Sequence, residues 1–428
     1  MELKKYKLGE ILDVTRGASL SGEFYAAEGE YVRLTCGNFD YQNNCFKENK
    51  AKDNLYYIGD FKPDFLMKEG DIITPLTEQA IGLLGSTAII PESGKYIQSQ
   101  DVAKIVCKEH LLDKDFAFYL ISSNLVKQQL SAAAQQTKIR HTSPDKIKDC
   151  IVWIPELEEQ KRIGKLLRTI DLKIELNRQL NHNLEAMAKQ LYDYWFVQFD
   201  FPDENGKPYK SSGGKMVWDK RLKREIPLLW KAKMVEEVAD VYNGATPSTV
   251  NELNYGGDIV WITPKDLSDQ KQKFVYQGER NISQVGYDSC STHLLPSNTI
   301  LMSSRAPIGL LAIAKTELCT NQGFKSFVSK SKNIATYLYY YLQYHITQIE
   351  QLGTGTTFKE VSREDILKFP MLKPSDNVLD LWEEIVSALN DRQLEIQKEN
   401  ENLIKQRNEL LPLLMNGQVS VNYDLADD

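Results

Sequence analysis

Short apolar runs fill two parts of the chain, residues 1–155 and 229–375. The runs are about four to eight residues long, rich in β-branched residues and bounded by Gly, Asn, Asp and Pro, as in GDIITPLT (70–77). This pattern is typical of strands joined by turns. Helices are predicted between the strands, notably over 115–130 and 334–351. Each part is therefore predicted to form a β-rich mixed globular domain.

Two longer segments, 156–197 and 376–416, have apolar residues at alternating steps of four and three. Such spacing over several heptads, with charged residues elsewhere, predicts two long helices that pair as a coiled coil. At 1.5 Å per residue each seam is about 50 Å long. The residues predicted to form the helix-pairing seam are Ile170, Ile174, Asn177, Asn181, Leu184, Leu191, Leu389, Ile396, Asn400, Leu403 and Leu410.

Asparagines occupy three of these seam positions. A buried asparagine requires a polar group opposite and therefore fixes the register of a helix pair. If the helices run antiparallel, Asn177 is expected to face Asn400, and Asn181 is expected to lie opposite Ile396. The alternative is that these asparagines are solvated at a loose stretch of the pair.

The domain and helix pattern occurs twice because the chain contains an internal repeat. LGEILDVTRGAS (8–19) aligns with VEEVADVYNGAT (235–246), and IGLL recurs at 81–84 and 308–311 with the same offset. Later correspondences follow in the same order at slightly smaller offsets, as short loop deletions would cause. A repeat in fixed order predicts that both halves share one fold.

The residues between the repeats, 198–228, include FPDENGKPYKSSGGKM, which is rich in Gly, Pro, Ser and Lys. They are predicted to form a flexible linker that lets the chain turn back, and residues 417–428 an acidic tail. The predicted fold is α+β: two β-rich mixed globular domains in a pseudo-twofold repeat, each followed by a long helix, the two helices pairing as an antiparallel coiled coil. The aromatic cluster YDYWFVQFDF (192–201) suggests that the chain requires partner proteins for stability.

Charge is unevenly distributed. The chain carries a net charge of −7, and residues 371–428 hold the whole excess, with Asp and Glu far outnumbering Lys and Arg. The two domains are close to neutral, so they lack the basic footprint of a strong stand-alone DNA binder. No apolar stretch is long enough to span a membrane, and the six scattered cysteines fit reduced thiols. A cytoplasmic location without membrane contact is expected.

Catalytic motifs are missing from the sequence. It has neither a G-x-x-x-x-G-K-[ST] loop for ATP nor the N/D-P-P-Y/F motif of an amino-methyltransferase. The five histidines lack metal-ligand spacing, so no metal site is expected. GTGTT (353–357) follows a predicted helix rather than a strand, which leaves two interpretations, a surface loop or a DNA-facing loop.

Several of these segments resemble the DNA-specificity subunit of Type I restriction-modification systems. The resemblance lies in IPELEEQKRI (154–163) at the start of the first helix and in the block AKQLYDYWFVQFDFPDENGKPYKSSGGKMV (188–217). LLWK (228–231), NQGFKSF (321–327) and GTGTTFKEVS (353–362) fit the second domain of that family. The second helix departs from the family pattern, since it opens with SDNVLDLWEEI.

The resemblance implies that each domain reads one half of an asymmetric bipartite target in double-stranded DNA. It further implies that the helices set the spacing between the halves and dock two copies of the modification methyltransferase. A restriction/translocase subunit would complete the complex. No cofactor is then expected in this chain, because S-adenosylmethionine belongs to the methyltransferase and ATP and Mg to the restriction subunit.

Two other functions fit parts of the pattern. One is a coiled-coil adaptor that binds proteins without sequence-specific DNA binding. The other is a complete DNA-modifying enzyme, which the missing motifs argue against. Under the leading interpretation the chain is a non-catalytic specificity subunit.

Candidate DNA-binding residues are polar side chains at strand ends and loops, because Arg suits guanine, Asn and Gln suit adenine, and Ser or Thr suit either. For any single one of them the ordinary exposed loop residue is the favoured alternative, and the prediction concerns the set. The candidates are Thr74, Thr77, Gln79, Gln98, Gln100, Lys138, Arg140, His141, Lys265, Ser303, Ser304, Arg305, Asn321, Gln322, Lys325 and Lys359.

Arg140 and Arg305 are expected to contribute most to base selection. Replacement of either by alanine should cost about 1–3 kcal/mol of discrimination at one position of one half-site. Binding assays on matched and mismatched duplexes would measure this loss. Equal weakening on all sequences would instead identify a phosphate contact.

Overall fold

The computed structural model describes residues 2–50, 53–78, 82–133, 140–355 and 359–422. The chain forms two compact units: unit 1 comprises Met1–Asn177 with Glu399–Asp428, and unit 2 comprises Arg178–Lys398. Both boundaries fall inside long helices, Leu157–Tyr192 and Asp376–Met415. Each unit therefore contains a β-rich domain together with parts of both helices.

The domain of unit 1 is built on two sheets. Its larger sheet is antiparallel, with the strand order Ala88–Ile89, Ile72–Pro75, Val102–Cys107, Leu12–Arg16. The second sheet has the order Tyr96–Ile97, Tyr31–Arg33, Tyr56–Tyr57, Tyr25–Ala26. Smaller strand pairs are Lys4–Lys7 with Ile151–Ile154, Thr77–Glu78 with Arg140–His141, and Phe39–Asp40 with Cys45–Phe46. The domain's helices are Leu8–Ile11, Lys114–Ile121, Asn124–Ala133 and Pro144–Lys148.

The domain of unit 2 repeats this plan. Its larger sheet has the order Ala239–Asn243, Phe324–Ser329, Ile300–Ser304, Ile308–Ala314, Phe274–Val275. The second sheet has the order Arg280–Ile282, Tyr255–Ile262, Cys319–Thr320. Strand pairs are Lys231–Met234 with Pro370–Lys373 and Met216–Asp219 with Arg224–Pro227. The domain's helices are Val235–Val238, Pro264–Gln270, Gln284–Asp288, Ala335–Tyr344, Ile346–Gln351 and Arg363–Leu367.

Two glycines show that the repeat extends to atomic contacts. A Cβ on Gly17 would lie 2.3 Å from the carbonyl oxygen of Gln98, and a Cβ on Gly244 would lie 2.2 Å from that of Asn321. Both glycines are required because the backbone that follows a neighbouring strand passes too close for any side chain. The following residue, Ala18 or Ala245, donates a backbone hydrogen bond of 2.9 Å to the same neighbouring segment. The predicted duplication is confirmed.

Within unit 1 the two long helices pack antiparallel. Arg407 Nη1 lies 2.8 Å from Asp171 Oδ1, and further along the second helix Leu414 shares a core with Leu167. Asn177 donates through Nδ2 to Glu399 Oε2 (2.8 Å). The carboxylate next to Asn400 is thus a charged acceptor for Asn177. The direct pairing of Asn177 with Asn400 stays a prediction.

The helices also pack antiparallel within unit 2. Trp382 lies beside Tyr192, the last residue of the first helix, with ring centroids 5.9 Å apart, and Gln393 Nε2 donates to the carbonyl oxygen of Asn181 (3.2 Å). Every predicted seam residue in the two units is buried or partly buried. The α+β fold with its paired long helices is as predicted.

A lysine from the domain of unit 2 enters this helix pair. Lys273 Nζ lies 2.8 Å from Glu185 Oε2, and it donates to Asn390 Oδ1 (2.7 Å) and Tyr340 Oη (2.6 Å). Burial lowers the pKa of Lys273 to about 8. The polar groups around this amine compensate for its removal from water and join the domain to both helices.

The segment predicted to be a flexible linker is folded onto unit 2 instead. Phe201 stacks between Tyr209 and Trp230, with centroid distances of 4.6 and 4.8 Å. Asp200 accepts hydrogen bonds from the backbone N and Oγ of Ser211, at 2.7 and 2.6 Å. The aromatic cluster of residues 192–201 is likewise part of the core of unit 2. The requirement for partner proteins stays a prediction.

Among the described residues, none of the helices is both long enough and sufficiently apolar to traverse a lipid bilayer.

Candidate nucleic-acid interface

In unit 2 a tight turn carries Arg305 at the end of strand Ile300–Ser304. Ser303 builds this turn, because its Oγ donates to the carbonyl oxygen of Pro307 (2.7 Å) and accepts from the backbone N of Leu310 (2.8 Å). Ala306 adopts a left-handed φ of 45°. The turn is thus a fixed backbone structure that holds the arginine at the strand end.

A second loop lies against this turn. Arg305 forms a β-bridge with Glu360, and the backbone N of Val361 donates to the carbonyl oxygen of Ser304 (3.1 Å). Thr354 and Glu360 exchange two backbone hydrogen bonds of 3.0 Å, which close the loop. Lys359, next to Glu360, is exposed.

The Glu360 carboxylate contacts two cations. Its Oε1 lies 3.3 Å from Lys325 Nζ, and its Oε2 lies 3.8 Å from Arg305 Nη1. Lys325 is buried, with 6% of its side chain exposed, whereas Arg305 and Glu360 are 37% and 41% exposed. One acidic group therefore connects a buried lysine to a surface arginine.

Asn321 and Gln322 lie on the loop beside this turn, because the backbone N of Ser304 donates to the carbonyl oxygen of Gly323 (2.8 Å). Asn321 Oδ1 accepts from the backbone N of Gly323 (2.8 Å), and Gln322 Oε1 accepts from Thr246. Gln322 is exposed and Asn321 is partly buried. The second unit thus brings Arg305, Asn321 and Gln322 to adjacent loops.

Other candidates of unit 2 serve different roles or lie apart. Ser303 and Ser304 are fully buried, and the hydroxyl of Ser303 supports the turn. Lys265 is exposed and forms an ion pair with Glu279 (2.9 Å) at the start of helix Pro264–Gln270.

Unit 1 places a strand pair at the equivalent position. Thr77–Glu78 pairs with Arg140–His141, so that Glu78 lies opposite Arg140. Glu78 is buried, and its Oε1 accepts backbone hydrogen bonds from Gly82 (2.7 Å) and Leu83 (3.1 Å). His141 is exposed.

Some candidates of unit 1 are internal. Thr74 is fully buried and donates to the carbonyl oxygen of Ser86 (2.8 Å). Gln98 is buried, and its Nε2 donates to the carbonyl oxygens of Thr15 (2.7 Å) and Val102 (3.1 Å). Both side chains stabilise the sheets.

Two further candidates of unit 1 reach the surface wholly or in part. Thr77 is partly buried, with its Oγ1 lying 2.8 Å from the Sγ of Cys36. Burial raises the pKa of that thiol. Gln100 is exposed. Gln79, Lys138 and the side chain of Arg140 lie outside the described residues.

The two units carry opposite charges at matching backbone positions. The offset that aligns IGLL at 81–84 with IGLL at 308–311 aligns Glu78 with Arg305. Glu78 pairs across the strands with Arg140, whereas Arg305 pairs with Glu360. Neither Glu78 nor Glu360 was predicted from the sequence as a site residue. Extension of the repeat alignment to the acidic positions would have identified Glu78.

Comparison with known proteins places this duplicated α+β chain in a family. The sequence model described as "Type I restriction modification DNA specificity domain" matches residues 1–186 and 227–406. This protein is a tandem repeat of one recognition fold with paired helices. It belongs to the Type I restriction-modification DNA-specificity family, as the sequence resemblance predicted.

Individual relatives agree with this assignment. The chain is 24% identical over 467 residues to the Type I restriction enzyme HindI specificity subunit of Haemophilus influenzae, covering 97% of this chain and 99% of that protein. It is 35% identical over 197 residues to the MjaIX specificity subunit of Methanocaldococcus jannaschii, where the alignment covers 45% of this chain and 46% of the relative.

A solved structure has the same fold. The S subunit of a Type I restriction-modification system from M. genitalium matches with a TM-score of 0.62 and 15% identity, covering 97% of this chain and 96% of that one.

Proposed function

We propose that this chain is the non-catalytic specificity subunit of a cytoplasmic Type I restriction-modification complex and that each unit reads one half of an asymmetric bipartite DNA target. The observation that carries the proposal is the difference in residue type and exposure at equivalent strand ends of the two units. The same backbone position holds Glu78 in unit 1 and Arg305 in unit 2. Glu78 is buried with its carboxylate bound to backbone N–H groups, whereas Arg305 is partly exposed. The two strand ends therefore present different surfaces, as the reading of different bases requires.

The near neutrality of the two domains fits a chain that reads bases while other subunits bind the DNA phosphates. Base contacts specify a sequence, whereas phosphate contacts supply most of the affinity. We infer that partner subunits, two modification methyltransferases and a restriction/translocase subunit, supply the phosphate contacts. Those partners would also carry S-adenosylmethionine, ATP and Mg.

Exposed apolar side chains on the long helices support methyltransferase docking. In unit 1, Leu172 and Leu176 are 52% and 65% exposed. In unit 2, Met187 is 55% exposed on the first helix, and Leu381 is 43% exposed on the second. Apolar groups clustered on a helix surface mark protein interaction sites when they are contiguous. We propose that a methyltransferase subunit covers each of these faces.

Exchange of residues 1–155 for the first domain of another specificity subunit tests the proposal. We expect one half of the methylated sequence to be replaced and the other half to stay unchanged, because each unit has its own sheets and its own strand-end residues. Methylome sequencing of cells that carry the parent or the hybrid chain measures both halves. The reciprocal control exchanges residues 229–375.

A change in both halves after one exchange would contradict the modular assignment. An unchanged methylome after deletion of the gene would favour the adaptor function. Methyl transfer by the purified chain alone would show that it is a complete enzyme.

A further inference from the structure

The carboxylate of Glu360 lies between two cations at the end of strand Ile300–Ser304 in unit 2. It lies between Lys325 and Arg305, with one oxygen towards each cation, 3.3 and 3.8 Å away. Lys325 lies on strand Phe324–Ser329, and Glu360 is held by backbone hydrogen bonds to Thr354. The carboxylate is therefore fixed from the protein interior, while its second oxygen faces the guanidinium of a partly exposed arginine.

Lys325 anchors the Glu360 carboxylate to the interior of the domain. A lysine with only 6% of its side chain exposed requires a counter-ion, because a buried unpaired ammonium is costly. Arg305 is more exposed, and its ion pair is longer. The short contact thus holds Glu360 in place, and the long contact leaves the guanidinium able to rotate towards a ligand.

We propose that Glu360 is a positioning residue that directs Arg305 to a base edge and away from the DNA phosphates. The inference rests on the proposed function and assigns a specificity role to a residue outside the predicted set. The ligand is a guanine in the major groove, whose O6 and N7 accept two hydrogen bonds from one guanidinium.

The negative charge of Glu360 would make Arg305 favour a base contact over a phosphate contact. A carboxylate beside the arginine repels a phosphate group, which disfavours a DNA position in which Arg305 contacts the backbone. Guanine O6 and N7 are neutral acceptors and meet less repulsion. Loss of the negative charge would therefore strengthen sequence-independent binding and weaken base selection together.

Glu360→Gln tests this, because glutamine keeps the shape of the side chain and removes its charge. The measurement uses the full chain assembled with its modification methyltransferase on duplexes with matched and mismatched second half-sites. We expect affinity for non-specific DNA to rise by about two- to fivefold. The slope of log affinity against log salt should steepen by about one. Discrimination should fall by at least fivefold at one base pair of the second half-site, with the first half-site unaffected.

Asp240→Asn is the matched control, since Asp240 forms an exposed ion pair with Lys330 in the same unit. It removes one negative charge without touching Arg305 and should leave discrimination unchanged. In Glu360→Gln the buried amine of Lys325 loses its counter-ion. The double variant Lys325→Met with Glu360→Gln removes that amine as well. Its melting temperature shows whether folding is restored, and the loss of discrimination should persist in it.

Two results would overturn the inference. One is unchanged discrimination in Glu360→Gln. The other is discrimination that returns in the double variant, which would show that the single change acted only through stability. Either result leaves the proposed function intact if the exchange of residues 1–155 still replaces one half-site. Failure of the proposed function would appear separately, as a methylome that does not depend on this gene.

Discussion

Replacement of Trp382 by alanine is expected to lower the free energy of unfolding of unit 2 by about 3–5 kcal/mol. Trp382 is fully buried on the second long helix. Its ring lies 4.9 Å from that of Phe196, in the π-helical turn Asp193–Val197 that follows the first long helix, and 5.6 Å from that of Tyr340, in the domain. The indole therefore fills the space where both helices meet the domain, and its removal leaves a cavity that this rigid aromatic packing cannot close.

Hydrogen exchange followed by mass spectrometry measures the effect, because peptides of unit 2 report separately from those of unit 1. Peptides covering the domain helix Ala335–Tyr344 should lose protection, and peptides of strand Val102–Cys107 in unit 1 should keep it. Leu381→Ala is the matched control, since this neighbouring side chain is 43% exposed. Equal loss of protection in both variants would refute the assignment of Trp382 as a central core residue.

Much of the fold could be predicted because it depends on patterns that recur locally. The two copies of one sequence order predicted the two domains, and the steps of four and three located both long helices. Gly17 and Gly244, matched by their offset alone, make the same close approach to a carbonyl oxygen. The repeat was informative because the same backbone geometry in both copies requires glycine at the equivalent position of each.

The folded segment after the first helix could not be predicted in the same way. Gly, Pro, Ser and Lys are typical of flexible segments, but the aromatic residues at its ends decide its structure. Phe201 finds Tyr209 within the segment and Trp230 beyond it. Burial of two aromatic faces outweighs the local composition, and this contact is not visible in a hydropathy pattern.

The candidate site was only partly predictable because residue type does not reveal burial. Thr74 and Gln98 have the chemistry of base readers but donate hydrogen bonds to carbonyl oxygens inside unit 1. Arg305 does lie on a strand-end turn, as its sequence context indicated. Glu360 could not be found from the sequence, since a bridge between two distant loops brings it to Arg305.

We propose that the long helices set the gap between the two half-sites, so that insertion of seven residues into each helix is expected to lengthen that gap by about three base pairs. One heptad adds about 10 Å of helix and keeps the seam in phase, and DNA rises about 34–36 Å per turn of 10–10.5 base pairs. Insertions after Asn177 and after Lys398 fall at the unit boundaries. They leave the Arg407–Asp171 pair of unit 1 within its own unit.

The methylome of cells that carry the doubly extended chain measures the result, and both half-site sequences should stay the same while the spacer grows. A single insertion is the control. It shifts one helix by two turns against the other. The contact of Gln393 with Asn181 in unit 2 and the contact of Arg407 with Asp171 in unit 1 then cannot both keep their present register. We expect that variant to lose methylation. If the doubly extended chain still directed methylation to sites with the parental spacer length, helix length would not be what sets the gap. The domains that read the half-sites are the same in both chains, so only the helix length differs.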